Sequence, residues 1–203
     1  MRGRLITFEG IDGSGKSTLL SATALALRAD AIDVLETREP GGTALGEVLR
    51  AVMLERPMSP LTETLLMFAA RVEHIDEVIV PALGTGHWVL CDRFTDATYA
   101  YQAGGRGIAP EWIATLEAWV HPTLQPDLTV LVDLDPRRAS VRRARARTPD
   151  RFESEDQSFF ERVRGVYLAR ARSQEDRFLV VDGTLAPDHI VARIVERVKP
   201  WRA

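Results

Sequence analysis

Gly10-Ile11-Asp12-Gly13-Ser14-Gly15-Lys16-Ser17 is the stretch that decides how this chain is read. It fits G-x-x-x-x-G-K-[ST], and it stands between a strand-like run, Leu5-Ile6-Thr7-Phe8-Glu9, and a helical apolar pattern that begins near Lys16. Three glycines let the backbone curl so that successive N–H groups point inward at phosphate oxygens, and the helix N-terminus adds partial positive charge. Lys16 supplies a point charge for the β- and γ-phosphates, and the Ser17 hydroxyl suits a Mg²⁺ shell. Gly10, Ile11, Asp12, Gly13, Ser14, Gly15, Lys16, Ser17 and Thr18 are thus the candidate ATP-binding residues. Of 26 basic residues only Lys16 and Lys199 are lysines, so a lysine kept here in an arginine-biased chain stands out. The motif identifies a nucleoside triphosphate user, not a reaction. Switch GTPases read guanine with Asn-Lys-x-Asp, and this sequence contains no asparagine.

Outward from the loop, strand-like runs occur at Arg4–Phe8, Ala31–Glu36, His87–Asp92, Leu128–Leu134 and Arg177–Asp182. Between them apolar residues recur at three and four over Lys16–Ala29, Thr62–Leu83, Pro110–Val120, Gln157–Arg172 and Pro187–Val198. This alternation predicts an α/β P-loop NTPase-type three-layer fold, a five-stranded parallel sheet flanked by helices, with ligands beyond the carboxyl ends of the strands. No repeat or linker interrupts it, so residues 1–203 are expected to form a single domain.

A net charge of −3 gives no reason to expect a nucleic-acid partner. Cys91 is the only cysteine, and no zinc-type spacing links it to the histidines. No apolar run approaches the roughly 20 residues needed to cross a bilayer, and the N-terminus lacks a signal-peptide core. The expectation is a cytoplasmic protein with neither membrane nor nucleic-acid partners.

Other motifs fall at the same strand ends. In Cys91-Asp92-Arg93-Phe94, Asp92 is a candidate for the Mg²⁺ shell together with Ser17, and Arg93 can reach an acceptor phosphate. Thr37-Arg38-Glu39-Pro40-Gly41-Gly42-Thr43 carries an arginine to the corresponding edge, although Pro-Gly-Gly is turn chemistry by itself. Phe68, Arg71 and His74 share one helix face, where an aromatic and an arginine could stack on and hydrogen-bond a planar base.

Taken in order, Phe8-Glu9-Gly10-Ile11-Asp12-Gly13-Ser14-Gly15-Lys16-Ser17-Thr18, Thr37 through Thr43, Cys91 through Phe94, and Ala100-Tyr101-Gln102 with Gly104-Gly105-Arg106-Gly107 resemble the bacterial thymidylate kinase family over nearly the whole chain. The resemblance implies Mg²⁺-dependent transfer of the ATP γ-phosphoryl group to dTMP, and a homodimer. It further implies that Arg71 bonds the thymine edge with Phe68 stacked on the ring, and that Arg38 and Arg93 address the dTMP phosphate. Thr98, Tyr101 and Gln102 would line base and sugar, Asp12 would approach the 3'-hydroxyl, and Tyr101 would fill the place of a ribose 2'-hydroxyl. The family usually sets its stacking Phe four residues before the arginine; here Met67 has that position and Phe68 is three before. Alternatives are a P-loop kinase acting on a deoxynucleoside or another nucleoside monophosphate, with Glu39 as the only visible candidate base, or a non-catalytic nucleotide-binding protein.

Arg137, Arg138, Arg142, Arg143, Arg145, Arg147 and Arg151 crowd one stretch, broken by Thr148-Pro149-Asp150. This is a solvated basic helix, a nucleic-acid patch, or a lid at about 137–155 that closes over phosphate. Some thymidylate kinases carry an arginine where this loop has Gly13, so the chain resembles the subgroup that supplies that charge from the lid. Arg147 and Arg151 are expected to do so, with Arg143 in reserve. Lys16, Arg93, Arg147 and Arg151 complete the expected catalytic set.

Overall fold

The inner strands are apolar on both sides, and each side has a different neighbour. Ile6, Phe8, Trp88, Leu90, Leu128, Val130, Val132 and Val181 pack with Leu19, Leu20, Leu27, Ile190, Ile194 and Val198 on one face. On the other face, Leu5, Val89 and Cys91 pack with Ile75, Ile79 and Leu83, and Leu131 packs with Phe159, Phe160 and Tyr167. Strands buried on both faces belong to a parallel sheet covered by helices. The computed structural model describes residues 2–146 and 150–202. Its strands are β1 (Leu5–Glu9), β2 (Val34–Arg38), β3 (Trp88–Asp92), β4 (Leu128–Asp133) and β5 (Phe178–Asp182), all parallel in the order β2-β3-β1-β4-β5. The expected five-stranded parallel α/β sheet is therefore the one observed.

The helices are α1 (Lys16–Ala29), α2 (Ala44–Glu55), α3 (Pro60–His74), α4 (Val80–Gly84), α5 (Thr95–Thr98), α6 (Pro110–Val120), α7 (Pro136–Ala146), α8 (Gln157–Ser173) and α9 (Pro187–Val198). Wide π turns follow α3 at Ile75–Ile79 and α5 at Tyr99–Gly105. The long helix expected over Thr62–Leu83 is thus divided. Pro81 has no N–H to give back to the preceding turn, and the ladder rephases there, with Val80 N–H bonding Ile75 O. β2 starts later than expected because Ala31, at φ 60°, belongs to the turn closing α1: its N–H and that of Ile32 bond back to Arg28 O and Leu27 O. Pairing of Arg38 with Asp92 then carries β2 to the loop edge.

β1 is central, and the turn leaving its carboxyl end faces the ends of β2 and β3. That switch point is where an open α/β sheet presents its crevice.

Candidate active site

Gly10, Gly13 and Gly15 have φ of 137°, 82° and 103°, conformations open to glycine but strained for other residues. Gly13 also answers to packing. A Cβ there would stand 2.5 Å from Ala139 O of α7, so the loop carries α7 directly on its back. The turn leads straight into α1. Lys16 is buried, with Nζ donating to Ile11 O at 3.1 Å and lying 3.9 Å from Asp12 Oδ1. Burial and the neighbouring Arg93 guanidinium hold its ammonium below the ordinary lysine range. Ser17 Oγ donates to Asp92 Oδ2 at 2.6 Å, while Asp92 Oδ1 is buried without a hydrogen-bond partner. A serine hydroxyl beside an unsatisfied carboxylate oxygen is hard-oxygen chemistry, which fits Mg²⁺. Among the described residues no group of three or more acidic, His or Cys side chains forms a metal cage of its own; Mg²⁺ commonly uses one or two carboxylates with substrate phosphates.

Arg93 follows β3 in a left-handed conformation, φ 73°, which is uncommon for a side chain of this size. The turn aims its guanidinium at the back of the glycine loop. Nη1 donates to Gly10 O at 3.1 Å and Tyr167 Oη at 3.2 Å; Nη2 donates to Tyr101 Oη at 3.0 Å and pairs with Asp12 Oδ1. Tyr101 Oη donates in turn to Asp12 Oδ2 at 2.8 Å. Burial alone would raise the Asp12 carboxyl, but Arg93, Lys16 and the Tyr101 hydroxyl outweigh it and hold the group well below the usual carboxylate range.

Beyond Arg93 lies a cavity of about 620 Å³ including its mouth, lined in part by Asp12, Met67, Arg71, Phe94, Thr98, Tyr101 and Gln102. Arg71 is only 2% exposed. Its Nε donates to Glu39 Oε2 at 2.7 Å and Nη2 to Thr98 Oγ1 at 3.0 Å, while Nη1 is buried and unpartnered. Glu39 is itself steadied, its Oε1 lying 3.0 Å from His74 Nδ1, and His74 Nε2 is 2.7 Å from Thr37 Oγ1. Burial works against the Glu39 charge, yet Arg71 and His74 leave its carboxyl lowered. A carboxylate so engaged is not a free base for a hydroxyl nucleophile, which weighs against the deoxynucleoside alternative.

The sequence candidates therefore converge unequally. Asp12, Arg71, Arg93, Thr98, Tyr101 and Gln102 share the one cavity. Phe68 does not line it; the ring is buried under the Arg71 guanidinium, 4.8 Å from centroid to Cζ, and Met67 and Phe94 form the apolar walls instead. Arg38 lines the adjoining cleft with Asp12, Gly13, Gly15, Lys16, Ser17, Thr18, Asp92 and Arg93, and pairs with Glu47 at 2.8 Å. Gly10, Ile11 and Ser14 form the rear of the loop, with Ile11 in the core and Ser14 Oγ buried without a partner.

Of the arginine-rich stretch, Arg142 and Arg143 lie over the loop, donating to Ser14 O at 3.3 Å and Asp12 O at 2.8 Å, and both line the cleft. Arg151 is held elsewhere: Nη2 on Glu63 Oε2 at 2.6 Å, Nε on Met53 O at 3.0 Å. Arg147 lies outside the described residues. Sequence reading missed Arg50, which lines both spaces and donates to Pro40 O at 2.9 Å. Its signal was available: Thr43, whose Oγ1 accepts Gly46 N–H at 2.9 Å, is an N-cap for an amphipathic run the sequence reading passed over.

Comparison with known proteins agrees with this geometry. Residues 8–194 match the family model described as Thymidylate kinase. The thymidylate kinase of Methylobacillus flagellatus is 52% identical over 203 residues, spanning all of both chains. That of Cupriavidus metallidurans is 58% identical over 196 residues, covering 97% of this chain and 98% of the other. Among solved structures, the thymidylate kinase of Ehrlichia chaffeensis superposes with a TM-score of 0.81 at 31% identity, covering 98% of this chain and 100% of that one.

Proposed function

The chain belongs to the thymidylate kinase family and is an ATP:dTMP phosphotransferase, and from that premise we propose how its residues divide the work of making dTDP and ADP. The observation that supports the assignment of roles is the continuity of the two spaces. Asp12, Glu39, Arg50 and Arg93 line both the apolar cavity and the cleft over the glycine loop. A base held in the first would present its phosphate to the second.

In this reading the amides of Gly13, Gly15 and Lys16 cradle the ATP phosphates and the Lys16 ammonium leaves Ile11 O for the β- and γ-oxygens. The unpartnered Arg71 Nη1 donates to a thymine carbonyl, and Met67 and Phe94 enclose the ring. Thr98 and Gln102 line the base and sugar, and Tyr101 fills the space that a 2'-hydroxyl would need. Asp12 accepts from the 3'-hydroxyl. Arg93 turns from Asp12 to the dTMP phosphate, with Arg38 and Arg50 beside it. Ser17 and Asp92 would hold Mg²⁺, which supplies charge neutralisation on the phosphate oxygens when bound with ATP. The acceptor is already an anion at neutral pH, so no general base is assigned; positioning and charge neutralisation carry the rate.

We further propose that residues 137–155 act as a lid within a single domain, with Arg142 and Arg143 as its cations nearest the loop and Arg147 and Arg151 joining on closure. We propose a homodimer as well, since α6 turns Trp112 and Trp119 outward, 58% and 81% exposed, and α3, which packs against α6, exposes Leu61 and Leu65. Sedimentation would show a mass near twice the chain's; a monomer at assay concentration would overturn this. A cytoplasmic location suits the free, buried Cys91 thiol. The roles are tested by ADP release with dTMP, dUMP, the ribonucleotide of thymine and thymidine itself. dTMP should be fastest and thymidine inactive; equal rates on the deoxy- and ribonucleotides would reject the role of Tyr101.

A further inference from the structure

Glu9 is the last residue of β1, fully buried, and absent from the site described so far. Among the described residues no lysine or arginine lies within ion-pairing distance of it. A carboxyl group in that setting is costly unless its hydrogen bonds are used well. Both oxygens are used, and both lead to Arg93. Oε1 accepts the Phe94 N–H at 2.7 Å, the amide directly after the left-handed turn at Arg93. Oε2 accepts the Tyr167 O–H at 2.7 Å, and Tyr167 Oη accepts Arg93 Nη1 at 3.2 Å. Tyr167 reaches in from α8 and is itself buried, 1% exposed.

We propose that Glu9 and Tyr167 are positioning residues for Arg93, one anchoring the strained backbone beside it and the other the inner edge of its guanidinium. The inference rests on the reading of Arg93 as the group that meets the acceptor phosphate. Arg93 is, with Arg50, a cation shared by base cavity and phosphate cleft, and its outer nitrogen, Nη2, is held by Asp12 and Tyr101, which dTMP would engage. When those contacts change, the inner edge must stay in place. The Tyr167 bridge and Gly10 O provide that fixed side, since neither faces the substrate space. Burial, reinforced by Asp96, pushes the Glu9 carboxyl up to about 8 against the pull of Arg93. One Glu9 oxygen thus holds the amide that follows Arg93, and the other holds the hydroxyl to which the Arg93 guanidinium donates.

Tyr167→Phe keeps the ring in its cluster and deletes the bridge. It should lower kcat/KM for dTMP about tenfold, the worth of one hydrogen bond to a charged group, while leaving the ATP dissociation constant within twofold and the melting temperature within a few degrees. Glu9→Gln, which keeps an acceptor for Phe94 N–H, should show a smaller loss of the same kind, and Glu9→Leu a larger one. The deciding measurement is the cycle: in an Arg93→Ala background, Tyr167→Phe should cost nothing further. Equal losses in both backgrounds, a loss shared by ATP affinity, or full activity of Tyr167→Phe would overturn the positioning role alone. Full turnover of Arg93→Ala would instead sink the reading of Arg93, and this inference with it.

Discussion

The buried chain Thr37–His74–Glu39–Arg71 makes its own quantitative prediction. Glu39→Gln removes one charge from an ion pair whose members are 4% and 2% exposed. The hydrogen bonds can be kept: the amide oxygen can accept Arg71 Nε, and the NH₂ can face His74 Nδ1 once the imidazole takes the tautomer that donates from Nε2 to Thr37 Oγ1. What is lost is charge compensation. Removing one partner of a buried pair costs about 3–5 kcal/mol, and retained hydrogen bonding places this case near 3. For a chain of this size that amounts to a fall in melting temperature of roughly 6–12 °C. Acidity gives the signature. The folded Glu39 carboxyl lies below its ordinary value, so its contribution is complete above about pH 4.3 and fades as pH falls toward the lowered folded value. The stability gap between wild type and variant, measured by urea unfolding at several pH values, should be constant through neutrality and close in acid. The KM for dTMP should rise as well, because Arg71 loses its bracing. A variant that melts with wild type and keeps its KM would show that Glu39 does not hold Arg71.

Three further outcomes follow from the site. Lys16→Ala and Arg93→Ala should each lower kcat by roughly 10²–10³ with circular dichroism unchanged, and near-normal rates would remove both from catalysis. Asp92→Asn should raise the Mg²⁺ concentration giving half-maximal rate several-fold, while an unchanged requirement would dismiss Asp92 as a metal-shell residue. Gly13→Ala combines a φ of 82° with a Cβ 2.5 Å from Ala139 O. It should displace α7 and raise the KM for ATP more than that for dTMP, and an unaltered ATP KM would show that α7 does not need this seat.

What was legible beforehand had local physical causes. The glycine loop could be read because its three glycines, lysine and serine do their work at fixed spacing within one turn. The inner strands were legible because burial on both faces leaves mainly apolar runs. What escaped depended on long-range contact. Phe68 and Arg71 share a helix face in either reading, and only the packing of Phe94 from the end of β3 decides that Phe68 lies beneath the guanidinium and Met67 at the cavity wall. Arg151 resembles its arginine neighbours in sequence, yet the buried Glu63 of α3 holds it away from the loop. Glu9 reads as the polar end of a strand; its importance comes from Tyr167, 158 positions further on.

Arg71 and Arg93 are built alike, and the likeness explains why arginine rather than lysine occupies both positions. Each guanidinium is held on one side by a carboxylate and a hydroxyl: Glu39 and Thr98 for Arg71, Asp12 and Tyr101 for Arg93. The carboxylate offsets the cost of burying a cation that cannot shed its proton, but it does not exhaust the donors of a planar group with five N–H bonds. With Nε and Nη2 of Arg71 fixed, the direction of Nη1 is fixed too, and it stays buried without a partner beside the cavity that Arg71 lines. An ammonium on a flexible stem would turn all its donors toward the carboxylate and carry no such direction. Arg71→Lys should accordingly retain charge and much of the stability yet lose preference for dTMP over nucleotides with other bases. A variant that still discriminates as wild type does would place base selection with the cavity walls instead.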